Sequence, residues 1–125
     1  MREFDILAYE VKLGPEIYGY FTPKVDDVVL KIGVEAGGII RCLAKEKDIL
    51  ILYFLNENSQ IPPPHFIKDK ETEREGLVMF LPYDRISDYI DLLRNESPIK
   101  AVIEKQLERS HIKTLREKVG EGERR

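Results

Sequence analysis

The 125 residues include one cysteine, two histidines and no tryptophan. A single thiol, Cys42, makes no internal disulfide, so nothing in the fold calls for an oxidising compartment. His65 and His111 stand far apart, without the short ligand spacing of a zinc site. Neither a metal nor a cofactor is expected. The glycines at 33–38 read G-x-x-x-G-G, which is not a dinucleotide fingerprint. It is not a phosphate-binding loop either, since no Gly-Lys-Ser/Thr follows. No catalytic motif appears, and an enzyme is not expected. No run approaches the roughly 18 apolar residues of a membrane span. The opening MREFDILAYE carries acidic residues inside its apolar run, unlike a signal or transit peptide. A cytoplasmic protein is expected.

What is present is a chain with 42% hydrophobic and 34% charged residues, enough for one domain with a real core. Lys, Glu and Arg dominate the charge, a mix that resembles thermophile proteins with their ion-pair networks. The net charge of −3 argues against coating duplex DNA by charge alone. The charge is uneven, however. Residues 98–118 carry Lys100, Lys105, Arg109, Lys113, Arg116 and Lys118 against only Glu104, Glu108 and Glu117.

FDILAYEVKL (4–13) alternates with Leu7, Tyr9, Val11 and Leu13 on one face; Gly14-Pro15 signals a turn, and EIYGYF (16–21) returns, so a hairpin is expected over 4–21. Thr22-Pro23 reads as a helix start. From Val25 to Leu43 the apolar residues follow helical spacing, which predicts a long helix over 22–46. A rival reading pairs VVLKIGV with IIRCLAK about Ala36-Gly37-Gly38. DILILYFL (48–55), apolar on both faces, predicts a central strand, followed by a polar loop over 56–75. GLVMFL (76–81) predicts another strand. A helix carrying Ile86, Tyr89, Ile90 and Leu93 comes next and ends near Asn95-Glu96-Ser97-Pro98. Its Asp84, Asp88 and Asp91 read as a solvated face. A last helix is expected over 98–118. The expected fold is α+β: a four-stranded, mostly antiparallel sheet packed on a long helix, with two C-terminal helices. Residues 1–97 form its body and 98–125 a C-terminal helix and tail, within one domain overall.

The aromatic and basic residues carry the functional expectation. Tyr18 and Tyr20 share a strand face; Tyr53 and Phe80 stand in strands. IPPPHFIK (61–68) sets a stiff polyproline segment before His65 and Phe66, with Lys68 and Lys70 after them. Two readings stay open: an arm with a stackable ring and a backbone clamp, or a lid over the sheet edge. Rings beside basic groups are what a single-stranded nucleic acid needs, because every base has a π-face.

The order of hairpin, long helix, DILILYFL, proline-bearing loop and GLVMFLPYD resembles the archaeal ThermoDBP-type single-stranded DNA-binding family over about residues 1–95. Whirly-type single-strand binders are a looser resemblance. The first resemblance implies an apolar cleft fringed by basic residues, placing Tyr53, Phe66, Phe80, Lys68 and Arg85 at the site. It also implies oligomerisation.

The sequence thus predicts a single-stranded nucleic-acid-binding protein, DNA before RNA, acting as a homo-oligomer without membrane attachment. Its binding residues would be Tyr18, Tyr20, Tyr53, His65, Phe66, Lys68, Lys70, Phe80 and Arg85. The last helix would supply the subunit interface through Ile99, Val102, Ile103, Leu107 and Leu115. The competing expectation is a non-enzymatic oligomeric scaffold with the same aromatics buried between subunits.

Overall fold

The computed structural model describes residues 2–115. In chain order these form β1 (Arg2–Ile6), β2 (Ala8–Phe21), β3 (Lys24–Val25), β4 (Val28–Val29), β5 (Ile32–Leu43), β6 (Asp48–Leu55), β7 (His65–Lys68) and β8 (Glu75–Pro82). A single 3₁₀ turn then leads into α1 (Ile86–Asn95), and β9 (Ile99–Ile103) and β10 (His111–Thr114) complete the described chain. The main sheet runs β2-β5-β6-β8-β7, with β6 and β8 parallel and the other pairs antiparallel. A second, antiparallel sheet runs β1-β9-β10.

The main sheet is buried on both faces. On one, Ile40, Cys42, Leu50, Leu52, Phe54 and Leu77 pack against Ile86 and Leu93 of α1 and against Phe4, Ile99, Ala101 and Ile103 of the small sheet. On the other lie Ile39, Ile49, Ile51 and Val78. That face is closed by the outer half of the β2–β5 pair. Both strands are long, and their registers shift between Leu13 and Ile17 and between Ala36 and Gly38. Such irregularities bend a strand, and the bend brings Phe21, Val34 and Ala36 into the second cluster.

Several expectations are corrected. The fold is mostly β rather than α+β on a long helix. Neither the helix over 22–46 nor its rival hairpin forms. Residues 22–31 hold the β3–β4 ribbon, and β5 continues without a turn through Ala36-Gly37-Gly38, with only a register shift there. The glycines serve close packing there: a Cβ on Gly37 would sit 2.6 Å from the Tyr83 ring, and one on Gly38 would meet Ile86. Gly14-Pro15 is an irregularity inside β2, not a hairpin turn. The 56–75 loop contains β7. Residues 98–115 form β9, a 3₁₀ turn and β10 instead of a helix, so the two C-terminal helices reduce to α1. The remainder of the expected 98–118 helix, and the tail to 125, lie outside the described residues.

The interface assignment changes with that element. Ile99, Val102 and Ile103 are buried in the chain's own core, and Leu107 packs partly against it. Leu115 is exposed, just past β10. The five residues do not form one presented stripe.

Cys42 is fully buried among apolar groups, and burial pushes its thiol from 9.0 up to about 12. A pKa raised in the folded state stabilises fully below the unfolded value and is lost as pH rises through the folded one. Stability is therefore expected to fall above about pH 9 by up to ~1.4 kcal/mol per pH unit from this group. Urea melts of Cys42→Ala against the parent protein between pH 8 and 11 check this; the variant should lack that share of the alkaline loss.

Candidate nucleic-acid interface

β7 is an outer strand of the main sheet, paired only with β8 among the described residues. Alternation along HFIK points His65 and Ile67 to one face and Phe66 and Lys68 to the other. His65 and Ile67 turn toward the second cluster, whereas Phe66 is 56% exposed. Beside Phe66 lies a groove of about 420 Å³, lined also by Lys68, Arg2 from β1, Lys47 from the turn before β6, and Asp48 and Glu75. Arg2 is ion-paired with Asp48. Lys47 and Lys68 are exposed and have no ion-pair partner among the described residues. The groove thus combines one open ring with two free ammonium groups.

The strand is held firmly at its far end. Asp69, buried just after Lys68, accepts from the Thr72 hydroxyl at 2.6 Å and the Thr72 backbone N–H at 3.2 Å, and its own N–H donates to the Arg74 carbonyl at 2.7 Å. The Asp69 carboxylate also pairs with the buried Arg41 of β5 at 3.3 Å, and Arg41 reaches Glu71 at 3.2 Å. Arg74 donates to the Ala44 and Asp48 carbonyls at 2.6 and 3.2 Å. The turn over 69–74 is therefore fastened to the β5–β6 corner, and it carries the exposed Lys70 close behind Lys68.

The other expected residues lie elsewhere. Tyr53, His65 and Phe80 form a nest under Phe21: ring centroids stand 4.9 Å apart for Phe21–Tyr53 and Phe21–Phe80, and 6.1 Å for the stacked His65–Phe80 pair. Burial pushes the Tyr53 hydroxyl above its ordinary range. His65 Nδ1 lies 2.8 Å from the Pro63 carbonyl. These rings are engaged with one another and do not form an open stacking surface. Phe80 still edges a separate cleft of about 620 Å³ with Leu55, Ile61, Leu81 and Tyr83, whose charged rim is the acidic Glu57 and Asp84.

Tyr18 and Tyr20 are exposed on the outer half of β2. The Tyr18 hydroxyl donates to Glu16 at 2.8 Å; that bond first, then desolvation, then the Glu16 and Glu35 charges, raises its pKa. Acidic neighbours there disfavour a phosphate chain. Tyr20 lies under the Lys31 ammonium, 5.5 Å from the ring centre, a separate ring–cation pair. Arg85 follows the opposite end of β8 and pairs with Asp88 at 3.0 Å. The structure therefore sets Phe66 and Lys68 in one groove, with the exposed Lys70 two residues further along the chain, and leaves the other six apart from them.

Two basic members of the groove, Arg2 and Lys47, escaped the sequence reading. So did the Arg41–Asp69–Glu71 group. Arg41 had a signal: an arginine inside GIIRCLA, an otherwise apolar run, implies a buried partner.

No family model, no curated protein and no solved structure matches this chain. Among the described residues, no group of three His, Cys, Asp or Glu side chains could hold a metal ion, and no helix is long and apolar enough to cross a membrane.

Proposed function

We propose that this protein is a non-catalytic binder of single-stranded nucleic acid, with the strand lying along the β7 edge. The observation that supports it best is the exposed Phe66 ring in one groove with Lys47, Lys68 and Arg2. A base stacked on Phe66 contributes roughly 1–3 kcal/mol regardless of sequence. Lys47, Lys68 and, one step on, Lys70 are free to meet successive phosphates. Arg2 is already engaged by Asp48, and Glu75 adds a negative charge to the same groove. The charge balance therefore favours modest affinity and a strong preference for low salt.

HFIK forms the edge strand β7, neither a projecting arm nor a closed lid, and its exposed Phe66 ring supports the stacking part of the arm reading. Phe66→Ala removes a ring that is not enclosed, so it should change stability by less than about 1 kcal/mol, against the ~3–5 kcal/mol of a buried Phe truncation. It should also weaken binding of a labelled oligo-dT about five- to a hundredfold, the equivalent of one lost stacking contact. Thermal melting and fluorescence anisotropy on the same samples read both. A large melting shift, or unchanged anisotropy, would remove Phe66 from the site.

A further inference from the structure

The opposite edge of the main sheet is also open. Among the described residues β2 pairs only with β5, so the other side of a 14-residue strand faces outward. Long open edges invite pairing with another chain. Around this one, Leu7, Val11 and Leu13 are exposed, with Leu7 and Leu13 at 64% and 60%. Between them lie Glu10 and Lys12, both exposed and both without an ion-pair partner among the described residues.

We infer that β2 pairs with β2 of a second copy of this chain, antiparallel about a two-fold axis, with Val11 opposite Val11. The register follows from symmetry and charge. A two-fold axis normal to the sheet keeps each side chain on its own face, so a residue meets only partners of the same alternation. With Val11 on the axis, Glu10 of each copy faces Lys12 of the other, giving two opposite-charge pairs. On the other face Tyr9 meets Leu13 twice, around the central Val11 pair. Moving the axis to Glu10 or to Lys12 sets like charges directly opposite one another, which destabilises. Pro15, which has no N–H to donate, lies outside the paired core. The short apolar-and-charged segment AYEVKLG is thus complementary to itself. The assembled sheet would have ten strands, with both β7 edges at its outer ends. Self-association and nucleic-acid binding therefore involve opposite edges and can fail independently.

Charge exchange at two exposed positions tests the register. The parent protein should sediment at twice its 14.6 kDa chain mass in the micromolar range. Lys12→Glu and Glu10→Lys each turn two attractive contacts into repulsive ones and should raise the dissociation constant about tenfold or more. The double variant Glu10→Lys/Lys12→Glu restores both pairs and should dimerise like the parent. An equimolar mixture of the two single variants should form mixed dimers, because each supplies what the other lacks. Far-UV circular dichroism confirms that all four chains are folded. A monomeric parent protein, or dimers indifferent to both single reversals, would overturn the proposal.

Discussion

Asp69→Ala will destabilise the domain by about 3–5 kcal/mol, because it leaves the Arg41 guanidinium buried without its main counter-charge. Arg41 lies inside the second face of the main sheet, and the exposed Glu71 alone cannot neutralise it well. The loss also frees Thr72, whose hydroxyl and N–H both donate to Asp69. For a domain of this size the drop corresponds to roughly 10–20 °C in melting temperature. Replacing both partners, as in Arg41→Met/Asp69→Ala, should recover much of the loss, since the unpaired charge is gone. A double variant no more stable than Asp69→Ala would show that Asp69 acts through the Thr72 and Arg74 turn and not through Arg41. Chemical denaturation of the parent protein and the two variants separates these cases.

Phe21→Ala is expected to cost about 3–5 kcal/mol as well, for a different reason. Phe21 is buried and its ring stands edge-on to Tyr53, His65 and Phe80 at once. It closes the outer half of the β2–β5 pair onto the second face. Removing it opens a cavity at the end of the bent arm, which can then lift. The Tyr53 hydroxyl, held above its ordinary pKa chiefly by burial, should fall back toward about 10. Spectrophotometric tyrosine titration reads this apart from global stability. If Tyr53 titrates unchanged, the nest is shielded by something other than Phe21.

The parts of the fold that could be read from the sequence are those where a short, bounded length or one clear period decides. GLVMFL is short and bounded. Ile86, Tyr89, Ile90 and Leu93 follow helical spacing beside an exposed charged face, and α1 forms there. The segment 32–43 shows the opposite case. From Val34 to Cys42 every residue but Glu35 is buried, because β5 is covered on both faces. A run that is apolar almost throughout satisfies period 3.6 and period 2 alike. Only the packing of α1 on one side and Phe21 on the other decides in favour of the strand. β9 fails in the same way: Ile99, Val102 and Ile103 fit a helical stripe but are buried on both sides of a strand between β1 and β10. Gly14-Pro15 signalled a break correctly, yet the break is a bend within one strand.

The candidate site was legible to the same extent. Phe66 and Lys68 are neighbours in sequence and share one groove in space. Arg2 and Lys47 join them only because β1 and the turn before β6 end beside β7, a long-range coincidence that no local pattern encodes. Tyr53 and Phe80 looked equally available, since alternation assigns a face but not what covers it. The cover is Phe21, more than thirty residues earlier in the chain than Tyr53.

The β7-edge account predicts how binding responds to salt. Each phosphate contact on a single strand adds about 0.7 to the log–log slope of affinity against salt. Lys47 and Lys68 are exposed, so replacing both with alanine should leave the fold intact. The decisive measurement is the affinity of a labelled oligo-dT across a salt series, for the parent protein and for Lys47→Ala/Lys68→Ala. The account predicts binding by the parent protein at low salt and a slope shallower by about 1.4 in the variant. Absence of binding at about 50 mM salt, where screening is still weak, or an unchanged slope, would contradict it.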